Sequence, residues 1–196
     1  MKRTGMVLFL GIVLAVTLGA RPSSQNKNGN GNAFGHDDDD DGGTLVLRAV
    51  LKGAEEPPAV STVGRGTFKA TLDEAGTMLE YELNYTGLEG DVQQAHIHLG
   101  QKGANGGVAA FLCTNQGNGP AGTPVCPGPN SGAVTGTILA AQIVGPAGQG
   151  LPPGAFEEFL RAIDKSLTYV NVHSSLVPTG EIRGQISVRR EDDNDD

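Results

Sequence analysis

The residues best suited to chemistry are His96, His98 and His173, in a chain with four histidines in all. His96 and His98 lie in Ala95-His96-Ile97-His98-Leu99-Gly100, and His173 closes Tyr169-Val170-Asn171-Val172-His173. Both stretches alternate apolar with polar residues, the pattern of a β-strand with one face in a core. Histidines at i and i+2 on a strand share a face and can chelate one ion. A third from an adjacent strand makes a three-nitrogen set, which suits Zn²⁺ or Cu²⁺ with water in the fourth position. Such a site would be mononuclear, because a two-metal site of the Cu/Zn superoxide dismutase type needs more histidines than the chain has.

The same residues permit a second arrangement. Gln94, His96 and His98 face away from the core on one strand, and Tyr169, Asn171 and His173 do so on the other. On a last strand Ile182 and Ile186 point inward, leaving Glu181, Arg183 and Gln185 outward. If these strands are neighbours, His96, His98, Asn171, His173, Glu181 and Arg183 can satisfy one another as a hydrogen-bonded polar layer that pins the register. General acid–base work by a histidine is a third reading, but no nucleophile or pocket is evident beside it. No catalytic constellation stands out, so a non-enzymatic binding or structural module is expected.

The elements that would hold these residues follow from the pattern of the chain. Strands are predicted over Thr44–Leu51, Gly66–Leu72, Met78–Tyr85, Val92–Leu99, Val108–Cys113, Ala133–Leu139, Leu167–His173 and Glu181–Val188. Turn residues such as Asp73-Glu74-Ala75-Gly76 and Gly87-Leu88-Glu89-Gly90 separate them. Gly100–Gly107 is rich in glycine but lacks the Gly-Lys-Ser/Thr ending of a phosphate loop, and it reads as a turn. One helix is predicted over Ala155–Lys165, where Phe156, Phe159, Leu160 and Ile163 fall at helical spacing. Together these argue an all-β fold, an antiparallel immunoglobulin-like β-sandwich of about eight strands with one short helix.

The ends of the chain are of a different kind. Residues 1–20 have the layout of a secretory signal peptide: Lys2 and Arg3, an apolar run from Met6 to Leu18, then Gly19 and Ala20. The run is short of the ~20 residues that span a bilayer as a helix, so no membrane span is expected after cleavage, with an uncleaved anchor as the alternative. Residues 21–43, with an Asn/Gly run and then His36 and Asp37–Asp41, have too few apolar residues to offset ordering and read as a disordered linker. The acidic run reads as solvated charge, with loose Ca²⁺ binding as the alternative. Residues 189–196 form an acidic tail.

Export would place the only two cysteines, Cys113 and Cys126, in an oxidising compartment, where a disulfide is expected. The formal net charge of −8 is shared equally between the short ends and the rest, since twelve acidic and eight basic residues lie between Thr44 and Val188. With no basic patch and no Trp, nucleic-acid binding is disfavoured.

Several stretches, in this order and spacing, resemble the CHRD domain, described first as a repeated module in chordin and found also in single-domain exported bacterial proteins. They are Leu51-Lys52-Gly53-Ala54-Glu55-Glu56-Pro57-Pro58, Gly66, Leu79-Glu80-Tyr81, Ala95–Gly100, Tyr169–His173 and Gly180-Glu181-Ile182-Arg183-Gly184-Gln185-Ile186. The resemblance implies a β-sandwich in an extracellular or periplasmic setting and no catalytic mechanism. In animal proteins the family binds secreted signalling partners alongside cysteine-rich modules, which this sequence lacks. An unspecified extracellular protein or polysaccharide is therefore the expected partner, unless the ligand is the metal.

Overall fold

Leu79, Tyr81, Leu83 and Tyr85 alternate with Glu80, Glu82 and Asn84, and the first set is buried while both glutamates are exposed. The same period of two builds most of the domain. A computed structural model describes residues 44–191. The signal-peptide, linker and Asp37–Asp41 expectations, and the end of the acidic tail from Asp192, lie outside the described residues.

The strands are β1 (Thr44–Lys52), β2 (Arg65–Leu72), β3 (Leu79–Thr86), β4 (Val92–Leu99), β5 (Gly107–Thr114), β6 (Gly132–Ile138), β7 (Thr168–Ser174), β8 (Ile182–Gln185) and β9 (Ser187–Glu191). Among the described residues one α-helix, α1 (Phe156–Asp164), precedes β7 and buries Phe156, Phe159, Leu160 and Ile163. The strand and helix expectations therefore hold to within a residue or two at most ends.

The arrangement of the strands differs from the expected sandwich. All strand pairings are antiparallel, and they form one continuous path in the order β5-β4-β7-β8-β1-β2-β3-β6, with β9 also paired to β1. The result is a nearly closed barrel-like sheet around one core rather than two separate facing sheets. The last predicted strand explains the difference. It breaks at Ile186 into β8, which pairs with β7, and β9, which pairs with β1. Beside this corner a Cβ on Gly184 would lie 2.4 Å from the Val50 carbonyl oxygen, so only glycine lets β1 pass this closely.

The ends of the path, β5 and β6, are joined by side chains. The Tyr81 hydroxyl on β3 donates to the Leu112 carbonyl on β5 at 2.6 Å, and the Tyr85 hydroxyl donates to Pro127 at 2.5 Å. Cys113 and Cys126 are bonded, tying β5 to the segment that leads into β6. Cross-linking a loop of this size stabilises by about 3 kcal/mol in the chain-entropy account. Reduction is therefore expected to lower the unfolding free energy by about that much, read as a shift in the urea midpoint with and without reductant. An unchanged midpoint would mean that the tyrosine bonds alone hold the seam.

Candidate metal centre

β7 lies between β4 and β8, which makes the strands of the histidines neighbours. In register, His96 faces Asn171, His98 faces Tyr169, and Asn171 faces Arg183 on the other side. Ala95, Ile97, Val170, Val172 and Ile182 from the same strands belong to the apolar core. The histidines therefore occupy the opposite face, outside the barrel.

That face is nevertheless sealed. His96 is 3% exposed, and His98 and His173 are 8% exposed. Backbone loops supply the cover. The His98 Nδ1–H donates to the Gly106 carbonyl at 2.9 Å, and the His173 Nδ1–H donates to the Pro178 carbonyl at 3.0 Å. Gly106, in the glycine-rich segment read from sequence as a turn, also donates its N–H to the Tyr169 hydroxyl. Pairing of β4 with β5 shifts register twice, between Ala95 and His96 and between Ile97 and His98, and this sets Phe111 opposite His96. The Phe111 ring meets His96 edge-on at 4.4 Å, and the Tyr169 ring stacks on His98 at 4.9 Å.

The carbonyl bonds fix the tautomers. Burial holds all three imidazoles in their neutral form: it lowers His96 to about 2, with His173 and His98 adding to the effect, lowers His98 to about 4, and lowers His173 as well. A neutral ring that donates from Nδ1 keeps its lone pair on Nε2. For His98 that lone pair is buried and has no partner. For His173 it accepts the His96 Nδ1–H at 3.1 Å, which leaves the His96 Nε2 lone pair buried and without a partner as well. One ring nitrogen from each of the three histidines lies within 4.8 Å of those of the other two.

The remaining predicted residues divide. Arg183 is 1% exposed and joins the cluster through Tyr169, its guanidinium carbon lying 3.3 Å from the ring centroid. It donates to the Gln101 and Ala104 carbonyls at 3.2 and 2.8 Å and so holds the same glycine-rich loop. Asn171 donates from Nδ2 to Glu56 at 2.6 Å. Glu181 does not join the histidines. Its carboxylate accepts from the Ser174 hydroxyl, from Thr62 Oγ1 at 2.7 Å and from the Glu89 N–H at 2.7 Å. It lies just before the regular pairing of β8, after Gly180 at φ 125°, and alternation does not govern its direction there.

Glu56, Phe111 and Gly106 are the residues that strand periodicity misses. Burial pushes the Glu56 carboxyl up to about 7, with nearby Arg183 pulling it back. Its only sequence signal is its place in the Leu51–Pro58 stretch ahead of two prolines.

The CHRD domain profile matches residues 47–186. The chain belongs to the CHRD domain family. No curated protein matches the chain. Within this CHRD domain, the stretches that carry the resemblance converge on one place. Leu51–Pro58 supplies Glu56, Ala95–Gly100 supplies His96 and His98, Tyr169–His173 supplies Tyr169, Asn171 and His173, and Gly180–Ile186 supplies Arg183. Gly180 belongs to the same packing, since a Cβ there would lie 2.3 Å from Asn171 Nδ2 and 2.7 Å from Glu56 Oε1.

Proposed function

We propose that this CHRD domain is an exported, non-enzymatic binding module that holds one transition-metal ion, zinc or copper, on His96, His98 and His173. The observation that carries this reading is the pair of buried Nε2 lone pairs on His96 and His98 with no partner. Buried polar atoms ordinarily find partners, and a ligating histidine ordinarily donates its other N–H to a carbonyl or carboxylate. His98 and His173 have that second bond in place, and the His173 Nε2 lone pair becomes a ligand by giving up the His96 Nδ1–H that it otherwise accepts. Export is supported by the character of residues 1–20 and by the bonded cysteines. No helix among the described residues is long and apolar enough to cross a membrane.

Elemental analysis of tag-free protein after exposure to Zn²⁺ or Cu²⁺ tests the reading. The expected result is near one equivalent per chain, falling below ~0.1 equivalent when His98 and His173 are both replaced by Ala. Less than ~0.1 equivalent in the unaltered protein would overturn it.

The His96–His173 bond and the Asn171–Glu56 bond favour one other reading, a polar layer that shapes the loops for an extracellular protein or polysaccharide. A chelator separates the two. It lowers the melting temperature of a metal protein and leaves that of a polar layer unchanged.

A further inference from the structure

The donor set at His96, His98 and His173 consists of imidazoles alone; among the described residues no carboxylate or thiol completes it. Any ion held there keeps its full charge in a place that excludes water. The Phe111 edge and the Tyr169 face stand against His96 and His98, and two loop carbonyls occupy the outward Nδ1 atoms of His98 and His173. The fixed charge that acts on His98 is a cation, Arg183, which packs on the Tyr169 ring that stacks on His98. The acid of the cluster, Glu56, is bonded to Asn171, and its burial favours the neutral acid.

From this arrangement we infer that the centre selects monovalent copper over divalent zinc. The inference rests on the metal-binding reading above. Cu⁺ and Zn²⁺ are both closed-shell d¹⁰ ions, so neither gains from a ligand-field geometry. What separates them is charge and coordination number. Zn²⁺ takes four ligands and so needs a water or an anion beside the three nitrogens. Cu⁺ is satisfied by three neutral nitrogens. An isolated buried double charge also costs more than a single one, and Arg183 repels it more.

The test is an anaerobic titration of the full chain, with Cu⁺ presented from a chromophoric chelator and Zn²⁺ as competitor. One equivalent of Cu⁺ is expected to bind and to survive about a tenfold excess of Zn²⁺. Arg183→Gln removes the cation, so the Cu⁺-over-Zn²⁺ preference is expected to fall by about tenfold. Arg183→Lys keeps the charge and is expected to keep the preference; it also separates charge from packing if Arg183→Gln fails to fold. Displacement of Cu⁺ by an equal concentration of Zn²⁺ would overturn the selectivity while leaving a metal site standing. So would a preference that is unchanged in a folded Arg183→Gln protein. A blank titration with both ions would overturn the metal reading itself, and the selectivity with it.

Discussion

Acidifying the metal-free protein from pH 6 to pH 5 is expected to remove roughly 1–2 kcal/mol of unfolding free energy. The unfolded chain takes up protons on His96, His98 and His173 near the ordinary histidine value of about 6.5. The folded chain does not, because burial lowers all three, His98 to about 4 and His96 to about 2. Where the unfolded state binds more protons, stability falls as pH falls, by up to ~1.4 kcal/mol per group per pH unit. Their contribution is thus intact above pH 6.5 and is lost progressively below it. Glu56 works in the opposite direction. Its folded value is raised to about 7, so between the ordinary glutamate range and neutrality the folded state holds the extra proton and gains as pH falls. His96 and His98 against one glutamate leave a net loss worth about one proton, and His173 adds to it in the same direction. Asp73 and Glu191 have lowered values and act only below this window. Urea midpoints at pH 7.5, 6 and 5 in the presence of chelator provide the measurement. A flat profile would mean that the three rings are solvated.

Gly106→Ala is expected to cost about 3 kcal/mol and to weaken metal binding by 10–100-fold. An added Cβ would lie 1.7 Å from the Leu99 carbonyl oxygen and 2.5 Å from its carbon. Both atoms are backbone and cannot move aside alone, so the loop must shift. The shift breaks the His98 bond to the Gly106 carbonyl and the Gly106 bond to the Tyr169 hydroxyl together. His98 then loses the group that fixes its tautomer. Gly103→Ala is the matched control in the same loop. Gly103 has φ 76° but nothing within 4 Å of an added Cβ, so only backbone strain of about 1 kcal/mol is expected. Melting curves and metal titrations of the two variants check this. Equal effects would show that the loop does not act as the wall of the site.

Alternation alone made much of this legible. It placed His96, His98, Asn171, His173 and Arg183 on the non-core face, because a strand has only two faces and Ile97, Val170, Val172 and Ile182 claim one of them. The period-3.6 stripe of Phe156, Phe159, Leu160 and Ile163 marked α1 in the same way. What stayed hidden depends on contacts distant in sequence. Glu56 and Asn171 are 115 residues apart, and no local pattern pairs them. The register shifts that bring Phe111 onto His96 depend on how β5 meets β4 and leave no trace in composition. Alternation does not place Glu181, because it lies one residue before β8 begins. Alternation reveals the antiparallel strands but not the nearly closed path of the sheet, because the break at Ile186 falls inside a run that alternates on both sides. Histidines on an outer face would ordinarily be solvated. Their burial comes from the loops ending at Gly106 and Gly180, whose paths the strands do not encode.

Every residue of β7 is buried, and β7 is paired on both sides. A strand so placed opens only when the whole domain does, so its amides should be among the slowest in the protein to exchange with solvent. His173 and Asn171 are thus fixed to the least mobile part of the chain. The covering pieces are loops, held by hydrogen bonds to His98, Tyr169 and Arg183 on the Gly106 side and by the His173 bond at Pro178. An ion would then enter and leave on the timescale of loop opening, and its residence time could be tuned by loop substitutions that leave global unfolding unchanged.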